Sequence, residues 1–230
     1  MNINVFIIKC LLVIYLAIYG YTPNVENKTK QANDDFIKSI NEKEQKGEIV
    51  WVDETQGYFI DSRDNNKYRV VKIGSQTWFA ENLAYEPAFG DFWAYDQIKS
   101  NALKYGYLYF WETANKVCPT GWHLANNEDW NTLFNYLGGK TVAGSKLKAT
   151  NNWNNPNKGV TNSSGFNALP AGNRAVGGLF YHLGDDALFW SGTLKSSKSA
   201  WKVRLNHDWD SVGVEPCYHL TGLSVRCIRD

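Results

Sequence analysis

Residues 58–80 read YFIDSRDNNKYRVVKIGSQTWFA, and this stretch contains two β-rich runs separated by a polar turn. β-branched and aromatic residues dominate the runs at residues 58–61 and 68–73, as is usual in strands. Residues 62–67 supply Asp and Asn, which tolerate the backbone angles of tight turns. The stretch therefore predicts a β-hairpin, followed by a second turn and a further short strand within residues 74–80.

A single clear amphipathic helix is predicted further along the chain. Asn126 or Asn127 can cap its N-terminus, because a side-chain oxygen there accepts a hydrogen bond from a free backbone N–H group. Gly138 and Gly139 are suited to end it. Its apolar face repeats with helical spacing and consists of Trp130, Leu133, Phe134 and Leu137.

The other predicted elements are short. Residues 106–111 indicate an aromatic strand or the entry to a short helix, and residues 140–165, rich in Asn, Gly, Ser and Thr, indicate a long loop. Apolar and charged residues alternate over residues 201–205, which predicts a half-buried strand, and residues 224–228 predict a last one. The predicted fold class is α+β, with short antiparallel strands, one main helix and long loops.

Composition limits the possible partners. The chain has 230 residues, enough for one domain with additional segments. Its aromatic content of 15%, including 10 Trp, favours a compact core built from large rings. The formal net charge of +1 provides no field that would attract nucleic acid, so nucleic-acid partners are not expected.

The N-terminus has the pattern of an export signal. Residues 1–9 form a short region with one basic residue, and residues 10–19 form an uncharged run that is too short to span a bilayer. Residues 1–20 are therefore a predicted signal peptide or, if uncleaved, an N-terminal anchor that makes the chain's only membrane contact. Residues 21–49 are a predicted polar spacer with room for a short helix, and residues 50–230 are the predicted domain.

Export determines the expected state of the cysteines. The predicted domain contains Cys118, Cys217 and Cys227. In an oxidising compartment, such as the periplasm, the cell surface or the medium, two of the three are expected to pair. The residues alone leave all three pairings open.

Five phrases in a fixed order resemble a known bacterial family. They are YRVVKIGSQTWFAENL (68–83), KYGYLY (104–109), CPTGWHL (118–124), GFNALPAG (165–172) and LSVRCIRD (223–230). Together they resemble the Fibrobacter succinogenes major paralogous domain, over about residues 58–230. That family is similar to the C-type-lectin-like and formylglycine-generating-enzyme folds, in which a helix follows a Leu-x-x-x-x-x-Trp phrase, here Leu124 to Trp130.

The resemblance implies one cysteine pairing, but the activities of the two related folds are not carried over to this chain. The family's recurring cysteines correspond to Cys118 and Cys227, and a disulfide that closes this 109-residue loop contributes about 4–5 kcal/mol in the chain-entropy model. Cys217 is an addition, either a free thiol or an alternative partner of Cys227. The Glu-Pro-Asn and Trp-Asn-Asp phrases of calcium-dependent lectins are absent, as is the late cysteine pair of formylglycine-generating enzymes, so neither activity is carried over.

The best metal candidate is a group of late residues. The set His207, Asp208, Asp210, Cys217 and His219 offers imidazoles, carboxylates and a thiol within a short span. Its spacing matches no strong zinc pattern, so a solvated turn between strands is the preferred interpretation.

Three further patterns are weaker. Asp185-Asp186 offers carboxylates to calcium, but a polar turn is preferred because no full ligand loop is visible. Ser191 lacks the Gly-x-Ser-x-Gly setting of a hydrolase nucleophile. Residues 172–178 lack the flanking strand and helix of a phosphate loop. No catalytic residue, metal or cofactor is therefore predicted.

A ligand-binding face is predicted in the late loops, because the late loops form the ligand face in related lectin-like folds. Large rings are rarely fully buried, so the set Trp93, Trp153, Trp190, Trp201 and Trp209 should include exposed members, although a purely structural role in the core is the alternative. The predicted ligand-binding residues combine one Trp with polar neighbours: Asn173, Arg174, Asp208, Trp209 and Asp210.

These patterns lead to one hypothesis of function and two alternatives. The hypothesis is an exported, non-catalytic module that binds a glycan, a peptide or a protein at the cell surface. An enzyme of unknown type related to formylglycine-generating enzymes, using Cys217, is one alternative. A structural component of a cell-surface assembly is the other.

Overall fold

The structure is a computed structural model that describes residues 23–230 of the chain, with side chains from residue 29 onward. The predicted signal peptide or anchor, residues 1–20, lies outside the described residues, as does Cys10. Among the described helices, none combines the length and the apolar character needed to cross a membrane.

The described part of the chain is a mixture of helices and antiparallel sheets, which confirms the α+β class. The helices are α1 (Pro23–Gln45), α2 (Lys99–Tyr105), α3 (Trp111–Ala114), α4 (Asn127–Tyr136) and α5 (Lys140–Leu147), with a 3₁₀ turn at Tyr95–Gln97. The strands are β1 (Val50–Trp51), β2 (Gln56–Ile60), β3 (Lys67–Ile73), β4 (Gln76–Phe79), β5 (Phe92–Trp93), β6 (Leu108–Tyr109), β7 (Trp122–Leu124), β8 (Ala171–Arg174), β9 (Phe180–Leu183), β10 (Asp186–Ser196), β11 (Ser199–Asn206), β12 (Gly213–Tyr218) and β13 (Cys227–Arg229).

The contacts divide the chain into two units, residues 1–46 and residues 47–230. The described part of the first unit is α1, a helix of 23 residues where the polar composition predicted room for a short helix. Its few apolar side chains include Phe36, which is exposed. All the strands found in residues 23–230 belong to the second unit.

The largest sheet has six strands in the order β1-β2-β3-β4-β13-β7. The predicted hairpin is confirmed as β2 and β3, in which Phe59 lies opposite Tyr68. Strand β13 lies between β4 and β7, since Ile228 pairs with Trp78 on one side and His123 on the other. Strands β10, β11 and β12 form a second antiparallel sheet.

Apolar side chains cover both faces of the six-stranded sheet. Neighbouring residues on a strand point to opposite faces. Phe79 accordingly packs in one buried cluster with Trp122, at a ring-centroid distance of 4.5 Å. Trp78 packs in the other cluster with Trp130 of α4, at 4.9 Å. The aromatic-rich core expected from the composition is therefore built in two layers.

Helix α4 begins and ends where the sequence predicts. The Asn126 side chain accepts hydrogen bonds from the backbone N–H groups of Glu128 and Asp129, and the Asp129 carboxylate accepts from the Asn126 N–H, which completes a capping box. Gly138 and Gly139 follow it with positive φ angles, a conformation that suits glycine.

The predicted long loop at residues 140–165 is wrong in its first third, because Lys140–Leu147 forms helix α5. Gly144 lies inside this helix, and a Cβ at that position would collide with the carbonyl oxygens of Asp210 and Ser211. Its glycine therefore reflects close packing rather than a loop. In the 106–111 stretch, both alternatives occur, as β6 followed by α3.

A disulfide joins Cys118 to Cys227, as the family resemblance implies, with an S–S distance of 2.01 Å. It connects the segment before β7 to β13, and Cys227 is fully buried. Cys217 is a half-buried free thiol. The buried disulfide is consistent with folding in an oxidising compartment.

Candidate ligand-binding cleft

A cleft of about 670 Å³ lies between the tip of the β2–β3 hairpin, residues 81–88 and helix α2. This volume is in the range of sites that hold small ligands. Its lining is dominated by charged, amide and tyrosine side chains, among them Arg63, Asp64, Asn66, Lys67, Tyr68, Arg69, Glu81, Asn82, Tyr85, Glu86, Lys99, Lys104, Tyr107 and Asn167.

Arg63 organises the hairpin wall of the cleft. Its Nη2 donates to Oδ2 of the buried Asp61 at 2.6 Å and to the Val117 carbonyl at 2.8 Å. Its guanidinium also lies 3.8 Å from the ring centroid of Tyr85, which stacks it against the opposite segment. The polar turn at the hairpin tip is therefore fixed to two other parts of the domain.

Glu81 bonds to the backbone of Arg69 in β3 beside the cleft. Its carboxylate accepts from the backbone N–H of Arg69 at 2.9 Å and from the Arg69 Nε at 3.1 Å. The Arg69 carbonyl accepts from the N–H of Ala80 at 2.8 Å. Both backbone groups of Arg69 are thus satisfied within the chain, so Arg69 offers no free backbone donor or acceptor to an added strand.

The floor of the cleft is held from the core. Asn82 donates from Nδ2 to the Tyr105 carbonyl at 2.8 Å, which ties the end of α2 to the floor. Arg226, fully buried, donates to Asn82 Oδ1 at 2.8 Å and to the carbonyl of Asn167 at 3.0 Å. Burial lowers the pKa of Arg226 to about 9, so the guanidinium stays charged at neutral pH.

A tyrosine–carboxylate pair lies beside the helix wall. The Tyr107 hydroxyl donates to Oε1 of Glu86, and Lys99 Nζ lies 3.6 Å from the same oxygen. The hydrogen bond from Tyr107 lowers the pKa of Glu86, while burial together with this bond raises the pKa of Tyr107. Leu103 projects from α2 at the rim and is 86% exposed.

The predicted residues Asn173 and Arg174 have different surroundings. Asn173 lines a separate small cavity of about 130 Å³, and its buried Oδ1 has no hydrogen-bond partner. Arg174 instead packs on Trp93, with its guanidinium 3.9 Å from the ring centroid. They follow each other on β8, where consecutive side chains point to opposite faces.

The predicted residues Asp208, Trp209 and Asp210 form the turn after β11, and the buried Lys148 fixes this turn by donating to the Trp209 carbonyl at 2.8 Å. The ring of Trp209 is partly exposed and lies 4.7 Å from the guanidinium of Arg204. Arg204 contacts Trp209 and also lines the small cavity that Asn173 lines.

The interpretation of Asp185-Asp186 as a polar turn is wrong for Asp186. This residue begins β10, is buried, and accepts from Arg204 Nη2 at 2.9 Å and from Asn206 Nδ2 at 2.6 Å. Asp185 is half-buried and accepts from Asn154 Nδ2. Asp186 therefore has a structural role, because its partners Arg204 and Asn206 stabilise the buried carboxylate.

The late residues considered as metal ligands include one close pair, with His207 Nε2 at 3.3 Å from Asp208 Oδ2. Within residues 23–230, no group of three or more His, Cys, Asp or Glu is arranged to hold a metal ion. His219 stacks on Trp111 at a centroid distance of 4.6 Å, and His207 Nδ1 bonds with the Asn155 carbonyl. Each imidazole therefore has a structural contact of its own.

The nucleophile candidates lie away from the cleft lining. Burial raises the pKa of the Cys217 thiol, which disfavours the reactive thiolate. Ser191 is buried and donates to Asn127 Oδ1 at 2.8 Å, beside the start of α4.

The sequence did not predict the cleft, because its walls come from separate parts of the chain. The sequence signal that could have revealed the cleft is the abundance of Tyr, Asn and charged residues at 63–69, 81–86 and 99–107. Each of these segments resembles an ordinary polar turn or helix by itself. Only the fold brings them together around the Asn82 amide.

The family model described as the Fibrobacter succinogenes major domain matches residues 71–229. The chain belongs to this family, which confirms the resemblance inferred from its five phrases. No curated protein and no solved structure matches the chain.

Proposed function

We propose that this member of the Fibrobacter succinogenes major domain family is an exported, non-catalytic module that binds a glycan in the cleft between the β2–β3 hairpin and α2. The observation that carries the proposal is the cleft itself, about 670 Å³ in volume and lined by charged, amide and tyrosine side chains. A ligand rich in hydroxyl groups needs donors and acceptors close together, and this lining supplies both.

The bonded backbone groups of Arg69 in the cleft favour a glycan over an extended peptide as the ligand. Peptides often bind by adding a strand to a free sheet edge. Here the backbone N–H and carbonyl of Arg69 are already bonded to Glu81 and Ala80. Recognition would depend on side chains of the lining, such as the Tyr107–Glu86 pair, which suits a sugar better than a strand.

Export is the second part of the proposal. It is supported by the sequence pattern of residues 1–20, by the polar helix α1 and by the buried Cys118–Cys227 disulfide. The module would work in the periplasm, at the cell surface or in the medium.

The third part concerns the fold, for which we propose a C-type-lectin-like arrangement. It is supported by the family membership, by the helix α4 that follows the Leu124-to-Trp130 phrase, and by the disulfide that ties the segment before β7 to β13. An experimental structure compared with lectin-like domains tests this part.

A glycan array with the purified, oxidised full chain tests the binding site. We compare Tyr85→Ala and Glu86→Ala, both in the cleft, with Trp209→Ala in the late-loop face. We expect both cleft variants to lose the signal and Trp209→Ala to keep it. Loss in Trp209→Ala alone would move the site to the late loops, and no signal on any glycan would overturn glycan binding. Circular dichroism checks that each variant is folded.

A further inference from the structure

We infer that the glycan bound in this cleft is uncharged, an oligosaccharide that offers hydroxyl groups rather than carboxylates, sulfates or amines; this rests on the proposed function. Charged side chains of both signs line the cleft, and several of the cations are paired with carboxylates of the chain. The cations of the lining are Arg63, Lys67, Arg69, Lys99 and Lys104, and its acids are Asp64, Glu81 and Glu86.

The two arginines of the lining are held by carboxylates. Arg63 Nη2 lies 2.6 Å from Oδ2 of the buried Asp61, and its Nε donates to Asp61 Oδ1 at 2.9 Å. Arg69 Nε lies 3.1 Å from Glu81 Oε1. An anion that approached either guanidinium would have to compete with the carboxylate that already neutralises it.

The helix wall of the cleft is similar. Lys99 Nζ lies 3.6 Å from Glu86 Oε1, the oxygen that also accepts from the Tyr107 hydroxyl. Lys104 is the exception, because it forms no ion pair among the described residues, and its Nζ lies 4.8 Å from the ring centroid of Tyr105. Lys104 is exposed, and a single exposed charge contributes little to holding an anion in water.

The charged residues at the hairpin tip also have contacts within the chain. Asp64 accepts from the backbone N–H of Asn66 at 2.9 Å and from its Nδ2 at 2.7 Å. Lys67 Nζ lies 3.2 Å from the ring centroid of Tyr58. These side chains are therefore positioned by the chain itself before a ligand arrives.

Neighbouring charges of opposite sign suit hydroxyl groups. A hydroxyl both donates and accepts, so it can donate to Glu86 while it accepts from Lys99. A carboxylate or sulfate only accepts, and Glu81 and Glu86 would repel it. A protonated amine only donates, and Arg69 and Lys99 would repel it. The lining therefore favours an uncharged ligand over one of either sign.

The rim of the cleft adds apolar surface. Leu103 lines the cleft and is 86% exposed, and Phe89, which is 91% exposed, follows Ala88 of the lining. Sugar rings carry apolar C–H groups between their hydroxyls, and contact with such side chains removes this surface from water. An ionised substituent next to the same side chains would lose hydration without gaining a partner. The rim thus favours an uncharged sugar ring as well.

Polysaccharides that share a backbone and differ in charge test the inference on the purified, oxidised full chain. Dextran is compared with dextran sulfate and with diethylaminoethyl-dextran, and fully methyl-esterified polygalacturonate with polygalacturonate. In each set that binds, we expect the uncharged member to bind at least about tenfold more tightly than the charged ones. Its affinity should change by less than about twofold between about 50 mM and about 300 mM NaCl, because salt screens charges and leaves hydroxyl contacts intact.

The outcomes separate this inference from the proposed function. Equal or tighter binding of a charged member overturns the inference and leaves glycan binding intact. If none of these polymers binds, the glycan array decides, because the signals that Tyr85→Ala abolishes should come from uncharged glycans. Their restriction to acidic or amino sugars overturns the inference. No signal on any glycan overturns glycan binding and the inference with it.

Two ion pairs of equal length provide matched variants. Glu86→Gln removes the carboxylate that lies 3.6 Å from Lys99 Nζ but keeps an acceptor for Tyr107. The anionic polymer's disadvantage relative to its uncharged counterpart should shrink by at least about threefold in this variant, because Lys99 loses its counter-ion. Glu215→Gln breaks a 3.6 Å pair with Lys202, between β11 and β12, and should leave the ratio unchanged. No shift in Glu86→Gln, or an equal shift in Glu215→Gln, overturns the assignment of the preference to the paired charges of the cleft.

Discussion

Arg226 donates from Nε to Oδ1 of Asn82 over 2.8 Å, so a guanidinium in the core fixes an amide on the floor of the cleft. Its other nitrogens donate to the carbonyls of Phe79, Phe166 and Asn167. Within the described residues, none of its hydrogen-bond acceptors is a carboxylate. Arg226 is therefore a buried cation held by dipoles, and its four bonds join the sheet to the segment at 166–167.

Arg226→Lys should destabilise the domain strongly. A single ammonium cannot replace a planar fork that reaches four acceptors, so buried carbonyls would lose their donors. We expect the free energy of unfolding to fall by about 3 kcal/mol in urea titrations. The exposed Arg229→Lys is the matched control and should change it by less than about 1 kcal/mol. A similar small loss for Arg226→Lys would contradict the structural role described above.

His123 should make stability depend on pH. Its Nδ1 lies 2.6 Å from Asp230 Oδ1, and its Nε2 lies 3.1 Å from Asp129 Oδ2. Burial by itself lowers the pKa of His123, but the hydrogen bonds to the two carboxylates outweigh it, and the pKa is raised above 6.5. The protonated imidazole thus links β7 both to the capping box of α4 and to Asp230.

The sign of this effect follows from linkage. A raised pKa in the folded state means that the stabilisation by His123 is fully present below about pH 6.5 and is lost as the pH rises through the folded-state value. Urea titrations of the wild type and His123→Gln between about pH 5 and pH 8 measure it, and the difference between them should shrink with rising pH. A constant difference would show that protonation of His123 does not contribute.

The disulfide should contribute more stability than any single surface contact. Cys118→Ala with Cys227→Ala opens a loop of 109 residues and is expected to lower the free energy of unfolding by about 4 kcal/mol. Cys217→Ala, which removes the half-buried free thiol, is the control. Alkylation of the oxidised chain in denaturant, followed by peptide mapping, should find Cys217 modified and the other two linked. A Cys217–Cys227 peptide would contradict the pairing.

Lys148 should be essential for the order of the turn after β11. Its ammonium, fully buried, donates to the carbonyls of Lys158, Asn206 and Trp209, and burial lowers its pKa. Lys148→Met leaves the carbonyls of Lys158 and Trp209 without this donor, while the Asn206 carbonyl still accepts from the Trp209 N–H, so we expect the free energy of unfolding to fall by about 2–4 kcal/mol.

Limited proteolysis should also detect the loosening of the turn after β11 in Lys148→Met. We expect faster cleavage near Trp209 in this variant than in the wild type. The exposed Lys198→Met is the control and should cleave at the wild-type rate. Unchanged cleavage in Lys148→Met would show that the turn is held by its other contacts.

Elements with local signals were predictable from the sequence. The β2–β3 hairpin has a turn rich in Asp and Asn between two β-rich runs, and α4 has a cap, an apolar face and two terminal glycines. Helix α5 was missed because its Gly144 signals a loop locally. Its helical conformation depends on packing against Asp210 and Ser211, which are far away in sequence.

The cleft depends on tertiary structure in a similar way. Arg63 and Tyr85 are 22 positions apart, yet they stack, and Asn82 is oriented by Arg226 from the other end of the domain. A local pattern cannot show such pairs. The late-loop prediction selected adjacent residues instead, and the strand conformation of β8 separates two of them, Asn173 and Arg174. Whether these residues bind a ligand stays a prediction.

The position of β13 between β4 and β7 has a consequence for biosynthesis. Residues 227–229 follow the other strands of this sheet along the chain, yet they supply the strand that joins β7 to β4. Until they are available, β4 and β7 have no shared neighbour, and Cys118 has no partner. The six-stranded sheet and its disulfide can therefore be completed only once residues 227–229 have been synthesised, whereas the pairing of β1 to β4 does not depend on them.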